Sequence, residues 1–169
     1  MGTSGSDATD ATGVRNAVTA AATTINMVNA PVIARERNIE VSEIKHSRPS
    51  DYQTLIRLTV TTDRQSRDVA GTLFGGDKPR LVQIKGIAVE AELGRHMLYV
   101  TNRDKPGFIG RLGTLLGTEG VNIATFHLGR SGPGEDAIAL IEVDERLDDA
   151  LLARIREIPD VVQATALSF

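Results

Sequence analysis

The stretch Asn102-Arg103-Asp104-Lys105-Pro106-Gly107-Phe108-Ile109-Gly110 carries the clearest chemistry in this sequence. It lies where a β-rich run, Met97-Leu98-Tyr99-Val100-Thr101, gives way to Ile109, Leu112, Leu115 and Leu116 at helical spacing. The first amides of a helix have no intrahelical acceptor, and the macrodipole favours an anion beside them. A small carboxylate can therefore dock at Gly107, Phe108 and Ile109, with Gly107 allowing close approach. Asp104 can accept hydrogen bonds from an ammonium group, so one short loop can hold both ends of a zwitterion. The same residues also have a purely structural reading. In it Asp104 caps the helix, Pro106 sits in the first turn and Gly107 belongs to the turn.

Other candidates are weaker. Asn122 follows Gly120 at the start of a second strand, where an amide can donate and accept, although Asn after Gly is an ordinary turn residue. Gly110, Gly113 and Gly117 fall on one helical face, which predicts close backbone approach to a sheet or a neighbouring chain. The pattern Gly107-x-x-Gly110-x-x-Gly113 is not Gly-x-Gly-x-x-Gly in a parallel βαβ unit, so a dinucleotide site is rejected. His46, His96 and His127 are scattered without acidic residues at metal-ligand spacing, and none makes a general base. No nucleophile elbow is present. Cysteine is absent, which excludes disulfides, iron-sulfur centres and thiol catalysis. A net charge of -3 with no concentrated basic face argues against a nucleic-acid partner. No apolar run reaches the roughly 18 residues of a membrane helix, so no membrane partner and a cytoplasmic location are expected.

These residues need a scaffold. A chain of 169 residues holds one ordinary domain or two small ones, and 41% hydrophobic with 24% charged residues is a globular composition. With aromatics at 4%, the core must come from Val, Ile, Leu and Ala, which suit sheets covered by helices. After Met1, residues 2–13 are Gly, Ser, Thr, Asp and Ala, and 1–13 reads as a flexible leader or a cloning remnant. Val14, Ala17, Val18, Ala21 and Ala22 predict a helix, and Asn29-Ala30-Pro31 starts a second short one through Val32, Ile33 and Arg37. Strands are expected at Glu40–Lys45, Thr54–Thr61, Arg67–Phe74, Arg80–Ile84 and Ile87–Leu93, with turn signals between them.

Gly94 marks a boundary, giving one domain at 14–94 and another at 95–169. In the second, a strand and a helix are followed by Val121–Leu128 and Ala137–Val143 around the hairpin Ser131-Gly132-Pro133-Gly134. A helix capped by Asp148 and a strand at Val161–Leu167 complete it. The expected fold class is α+β. A C-terminal βαββαβ, ferredoxin-like unit has both helices on one face, and it is preceded by a smaller domain of helices and antiparallel strands. The other face of the C-terminal sheet is left to pair or to meet water.

The stretch 102–110, with Leu112-Gly113-Thr114-Leu115-Leu116-Gly117 and Gly120-Val121-Asn122-Ile123-Ala124, resembles the ACT domain of the D-3-phosphoglycerate dehydrogenase family. The first half agrees. Val28-Asn29-Ala30-Pro31-Val32-Ile33-Ala34-Arg35-Glu36-Arg37 and Val69-Ala70-Gly71-Thr72-Leu73-Phe74-Gly75 resemble the intervening, allosteric substrate-binding domain of the long form of that enzyme. Together the likeness covers residues 14–169.

The resemblance implies a regulatory region in L-serine biosynthesis whose ACT domain binds serine between two paired subunits of a homo-oligomer and lowers activity. Carried over residue by residue, it implies that Asn102, Asp104, Pro106, Gly107, Phe108 and Ile109 contact the ligand from one subunit and Asn122 with Ile123 from its neighbour. The nucleotide-binding and substrate domains, with their catalytic His, Glu and Arg, have no counterpart here. The chain is therefore expected to hold no cofactor and no catalytic residue, the NAD belonging to the parent enzyme. The intervening domain reads as truncated. Arg80 and Lys85 remain as a candidate anion site, but Ala88 and Glu92 stand where further cations are expected. Two alternatives stay open: a ligand-free oligomerisation module, and an ACT unit responding to another small amino acid. An ACT unit of the iron-sulfur serine dehydratases is excluded by the missing cysteines.

Overall fold

The computed structural model describes residues 25–43, 52 and 54–169. The leader at 1–13 and the helix expected over 14–24 lie outside the described residues, as does His46. Two compact units divide between Arg48 and Pro49.

In the first unit one helix is described, α1 (Ala30–Glu36). Pro31 in its first turn supplies a preset φ and lacks an amide the helix would leave unpaired. Asn29 stands at the N-cap position, and its Oδ1 accepts from Asn26 N at 2.7 Å rather than from a helix amide. The strand expected at Glu40–Lys45 is not found over its described part: Glu40–Glu43 carry no strand pairing and are exposed. Alternating side chains are insufficient without a partner strand to take the backbone hydrogen bonds.

The second unit holds two four-stranded antiparallel sheets. The first is a meander of β1 (Leu55–Thr61), β2 (Ser66–Phe74), β3 (Lys78–Ile84) and β4 (Ile87–Glu92), in that order. A register shift between Ala70 and Gly71 marks a bulge, and a Cβ on Gly71 would stand 3.1 Å from the Arg80 carbonyl oxygen. Strictly alternating burial along β4 turns Ile87, Val89 and Ala91 inward.

The second sheet is formed by β5 (His96–Arg103), β6 (Ile123–Arg130), β7 (Asp136–Val143) and β8 (Val161–Ser168) in the order β6-β7-β5-β8. Helices α2 (Phe108–Thr118) and α3 (Asp149–Arg156) complete βαββαβ. This is the expected α+β arrangement, with the βαββαβ unit at its C-terminal end. Asp148 caps α3 by accepting from Leu151 N at 2.7 Å. Leu98, Val100 and Ile141 on the sheet pack under Phe108, Leu112 and Leu116 of α2 and Leu152 and Ile155 of α3. Burying each such side chain contributes about 1.5–3 kcal/mol. The opposite face of this sheet is covered in part. Met97 and Leu140 pack with Val89 and Ala91 of β4, flanked by Tyr99 and Ile84.

Gly110, Gly113 and Gly117 do not serve close approach within this chain: a Cβ at any of them would meet nothing within 4 Å, so they do not abut the sheet. Helical phase explains it, because α2 buries Phe108, Leu112 and Leu116 and turns the glycines to the opposite side. The glycine that does allow close approach is Gly129 in β6. Its missing side chain leaves room for the backbone carbonyl of Ala88 and the side chain of Ile87, joining β4 to the second sheet.

Candidate ligand site between strand and helix

β5 leaves the sheet through Asn102 and Arg103, at a register shift against β8 between Thr101 and Asn102. The loop that follows is pinned by its backbone. Arg103 N donates to Asp160 O at 2.9 Å and Asp104 N donates to Glu135 O at 2.7 Å. Side chains add Arg103 to Asp136 at 2.6 Å and Lys105 to Asp160 at 2.7 Å. A loop held from both neighbouring strands presents its polar groups in fixed positions.

The helix starts one turn later than a cap at Asp104 requires. Gly107 is the N-cap residue, at φ 92 in the left-handed region, and offers no side-chain acceptor. Pro106 precedes the helix, and the structural role read for Asp104 is thereby corrected. Instead, Asp104 Oδ2 accepts from Arg130 Nη1 at 2.8 Å. The amides of residues 108–110 are left without intrahelical acceptors, as at any helix start.

These groups line a groove of about 500 Å³. Asn102, Asp104, Lys105, Pro106, Gly107, Phe108 and Ile109 form one side, and Leu128, Arg130, Pro133 and Gly134 form the other. Six residues expected at a ligand site are thus brought together. Asn102 is 2% exposed; its Nδ2 donates to Arg103 O at 2.8 Å, while its Oδ1 has no hydrogen-bond partner. A buried carbonyl oxygen left unpaired costs on the order of 1–3 kcal/mol.

Asn122 and Ile123 are elsewhere. They stand at the start of β6 and the groove at its end, a separation on the order of 20 Å of strand. Asn122 Nδ2 donates to Asp144 Oδ2 at 2.7 Å. Residue spacing gave no role to Leu128, Arg130, Pro133 or Gly134. The topology held the signal, since the hairpin after β6 emerges at the same end of the sheet as the loop after β5.

Arg80 and Lys85 do not converge. Arg80 pairs with Glu92, the acidic residue noted among the missing cations, and its guanidinium lies 5.1 Å from the Phe74 ring centroid. Lys85 is at the other end of β3, in the turn to β4, with Nζ 6.0 Å from the Tyr99 ring centroid. Burial, and then the positive charge of Arg67, lower the Lys85 pKa from its ordinary value, with Asp136 opposing. Burial raises the Tyr99 pKa, and Arg67 counters it. Among the described residues no group of His, Asp and Glu is arranged to hold a metal ion. Nor is any described helix long and apolar enough to cross a membrane.

Residues 6–85 match the family model of the D-3-phosphoglycerate dehydrogenase intervening domain, and residues 96–160 match that of the ACT domain. The chain is 36% identical over 139 residues to a D-3-phosphoglycerate dehydrogenase of Bacillus subtilis, covering 82% of this chain and 26% of the relative. It is 31% identical over 144 residues to one from Methanocaldococcus jannaschii, covering 85% and 27%. Against the chloroplastic D-3-phosphoglycerate dehydrogenase 3 of Arabidopsis thaliana it is 29% identical over 150 residues, covering 81% and 25%. The chain therefore spans about a quarter of the length of these relatives.

Proposed function

Because this chain carries the intervening and ACT domains of the D-3-phosphoglycerate dehydrogenase family, we propose that it senses a small amino acid, L-serine, and regulates such an enzyme of L-serine biosynthesis. The observation that carries this reading is the groove at the start of α2, with Asp104 on its rim and the unpartnered Asn102 Oδ1 buried in its wall. The ligand's carboxylate meets the free amides of Phe108 and Ile109. Its ammonium group donates to Asp104. Pro106 and Gly107 shape the floor. The reaction itself, and its NAD, belong to the catalytic part of the enzyme in this proposal, and the location is cytoplasmic.

A single copy leaves Asn122 and Ile123 remote from the groove. Two copies related by a two-fold axis would close the site, each bringing its Asn122 and Ile123 to the groove of the other. Ligand binding would then couple to assembly, since a ligand held by both copies favours the paired state.

Titration calorimetry on the whole chain with L-serine, glycine and L-alanine at millimolar concentration tests the proposal. Saturable heat with L-serine supports it. No heat with any of the three would replace it with a ligand-free assembly role, and a clear preference for glycine or L-alanine would change the effector.

A further inference from the structure

Arg130 ends β6 on the wall facing the helix start, and among the described residues it is the one guanidinium that both lines the groove and touches Asp104. An arginine side chain has five N–H donors, and the 2.8 Å contact to Asp104 uses one of them. The side chain is 55% exposed and lines the groove, and it keeps donors that Asp104 does not use. Leu128 and Ile109 beside it present apolar surface, which strengthens a charge-assisted contact made there.

The ion pair sets a condition on what can enter. A cation docking on Asp104 is repelled by Arg130, and an anion docking on Arg130 is repelled by Asp104. A molecule with an ammonium and a carboxylate on one carbon replaces the pair by two matched contacts and leaves neither charge uncompensated. Resting on the amino-acid-binding reading above, we infer that Arg130 receives the ligand's carboxylate together with the amides at the start of α2. It is the residue that rejects amines lacking a carboxylate. The ion pair with Asp104 is the resting arrangement, and the ligand exchanges it.

The test compares L-serine with ethanolamine, which keeps the ammonium and hydroxyl groups and lacks the carboxylate. Dissociation constants for both are measured by calorimetry on the wild-type chain, Arg130→Gln and Arg130→Lys, each first checked for folding by circular dichroism. In Arg130→Gln, L-serine weakens while ethanolamine gains from the released Asp104. The preference for L-serine therefore falls by about tenfold or more. Arg130→Lys keeps the charge and restores part of that preference. A preference unchanged in Arg130→Gln assigns the carboxylate to the helix amides alone and overturns the inference, with the amino-acid site intact. Failure of the wild type to bind L-serine overturns the underlying reading before any variant is compared.

Discussion

Arg130 Nη1 donates to Asp104 Oδ2 at 2.8 Å, joining the end of β6 to the loop that leads from β5 into α2. The contact is part exposed, so its value to stability is small, about 0–1 kcal/mol. Its value to the proposed recognition is larger, because Asp104 is the one carboxylate lining the groove among the described residues. Asp104→Ala is expected to weaken L-serine binding by about tenfold or more in calorimetry. Its urea midpoint should remain near that of the wild type.

Gly107 is held at φ 92, where a side chain costs about 1–2 kcal/mol. A Cβ there would also stand 2.7 Å from Arg111 Nη1, the mobile end of a long side chain that can swing aside. Gly107→Ala is therefore expected to lose about 1–2 kcal/mol in urea unfolding and to bind L-serine more weakly, since the first helix amides shift with the turn. Equal stability and equal affinity would show that the turn tolerates a side chain.

Gly129 is a different case, because what fills its side-chain space is the backbone carbonyl of Ala88. Backbone in a paired strand moves less readily than a side chain. Gly129→Ala should force β4 away from β6 and cost about 1–3 kcal/mol, read as a lower urea midpoint. An unchanged midpoint would mean that the two sheets separate at no cost.

Lys85 supplies a pH prediction. Its folded pKa lies below the ordinary value of 10.5, mainly through burial, so the unfolded chain binds the proton more tightly. Stability from this group is then lost as pH falls through the folded pKa and regained as pH rises towards 10.5. Lys85→Gln removes the effect. The melting midpoint of the wild type should gain on that of Lys85→Gln as pH rises from below the folded pKa towards 10.5, with Tyr99 present in both. A difference that stays flat over this range would contradict the assigned burial.

Much of the site was legible because its residues are local. Asn102 through Ile109 are contiguous, and the change from strand to helix periodicity fixed where they would lie. The start of α2 was misplaced because Asp104 is a good capping type, whereas its carboxylate is claimed by Arg130, 26 residues away. No local rule sees such a partner. The second wall of the groove shares that origin, being set by sheet order. The glycines of α2 do not approach the sheet, because they lie on the helix face turned away from it, where glycine is tolerated without a neighbour in the same chain. Gly129 went unnoticed because one glycine in a strand carries no spacing signal, and what it accommodates comes from another sheet. The covering of the second sheet face by β4 was equally a matter of tertiary packing: the alternation in Ile87, Val89 and Ala91 announces a buried face without saying against what.

The central claim is that a small amino acid is held at the start of α2, and amide resonances report that position directly. An isotope-labelled sample of the whole chain titrated with L-serine should show saturable shifts concentrated at residues 102–109 and 128–134. Asn122 and Ile123 should follow if a second copy completes the site. Saturable shifts confined to other parts of the chain, or no shifts at millimolar L-serine, would contradict it.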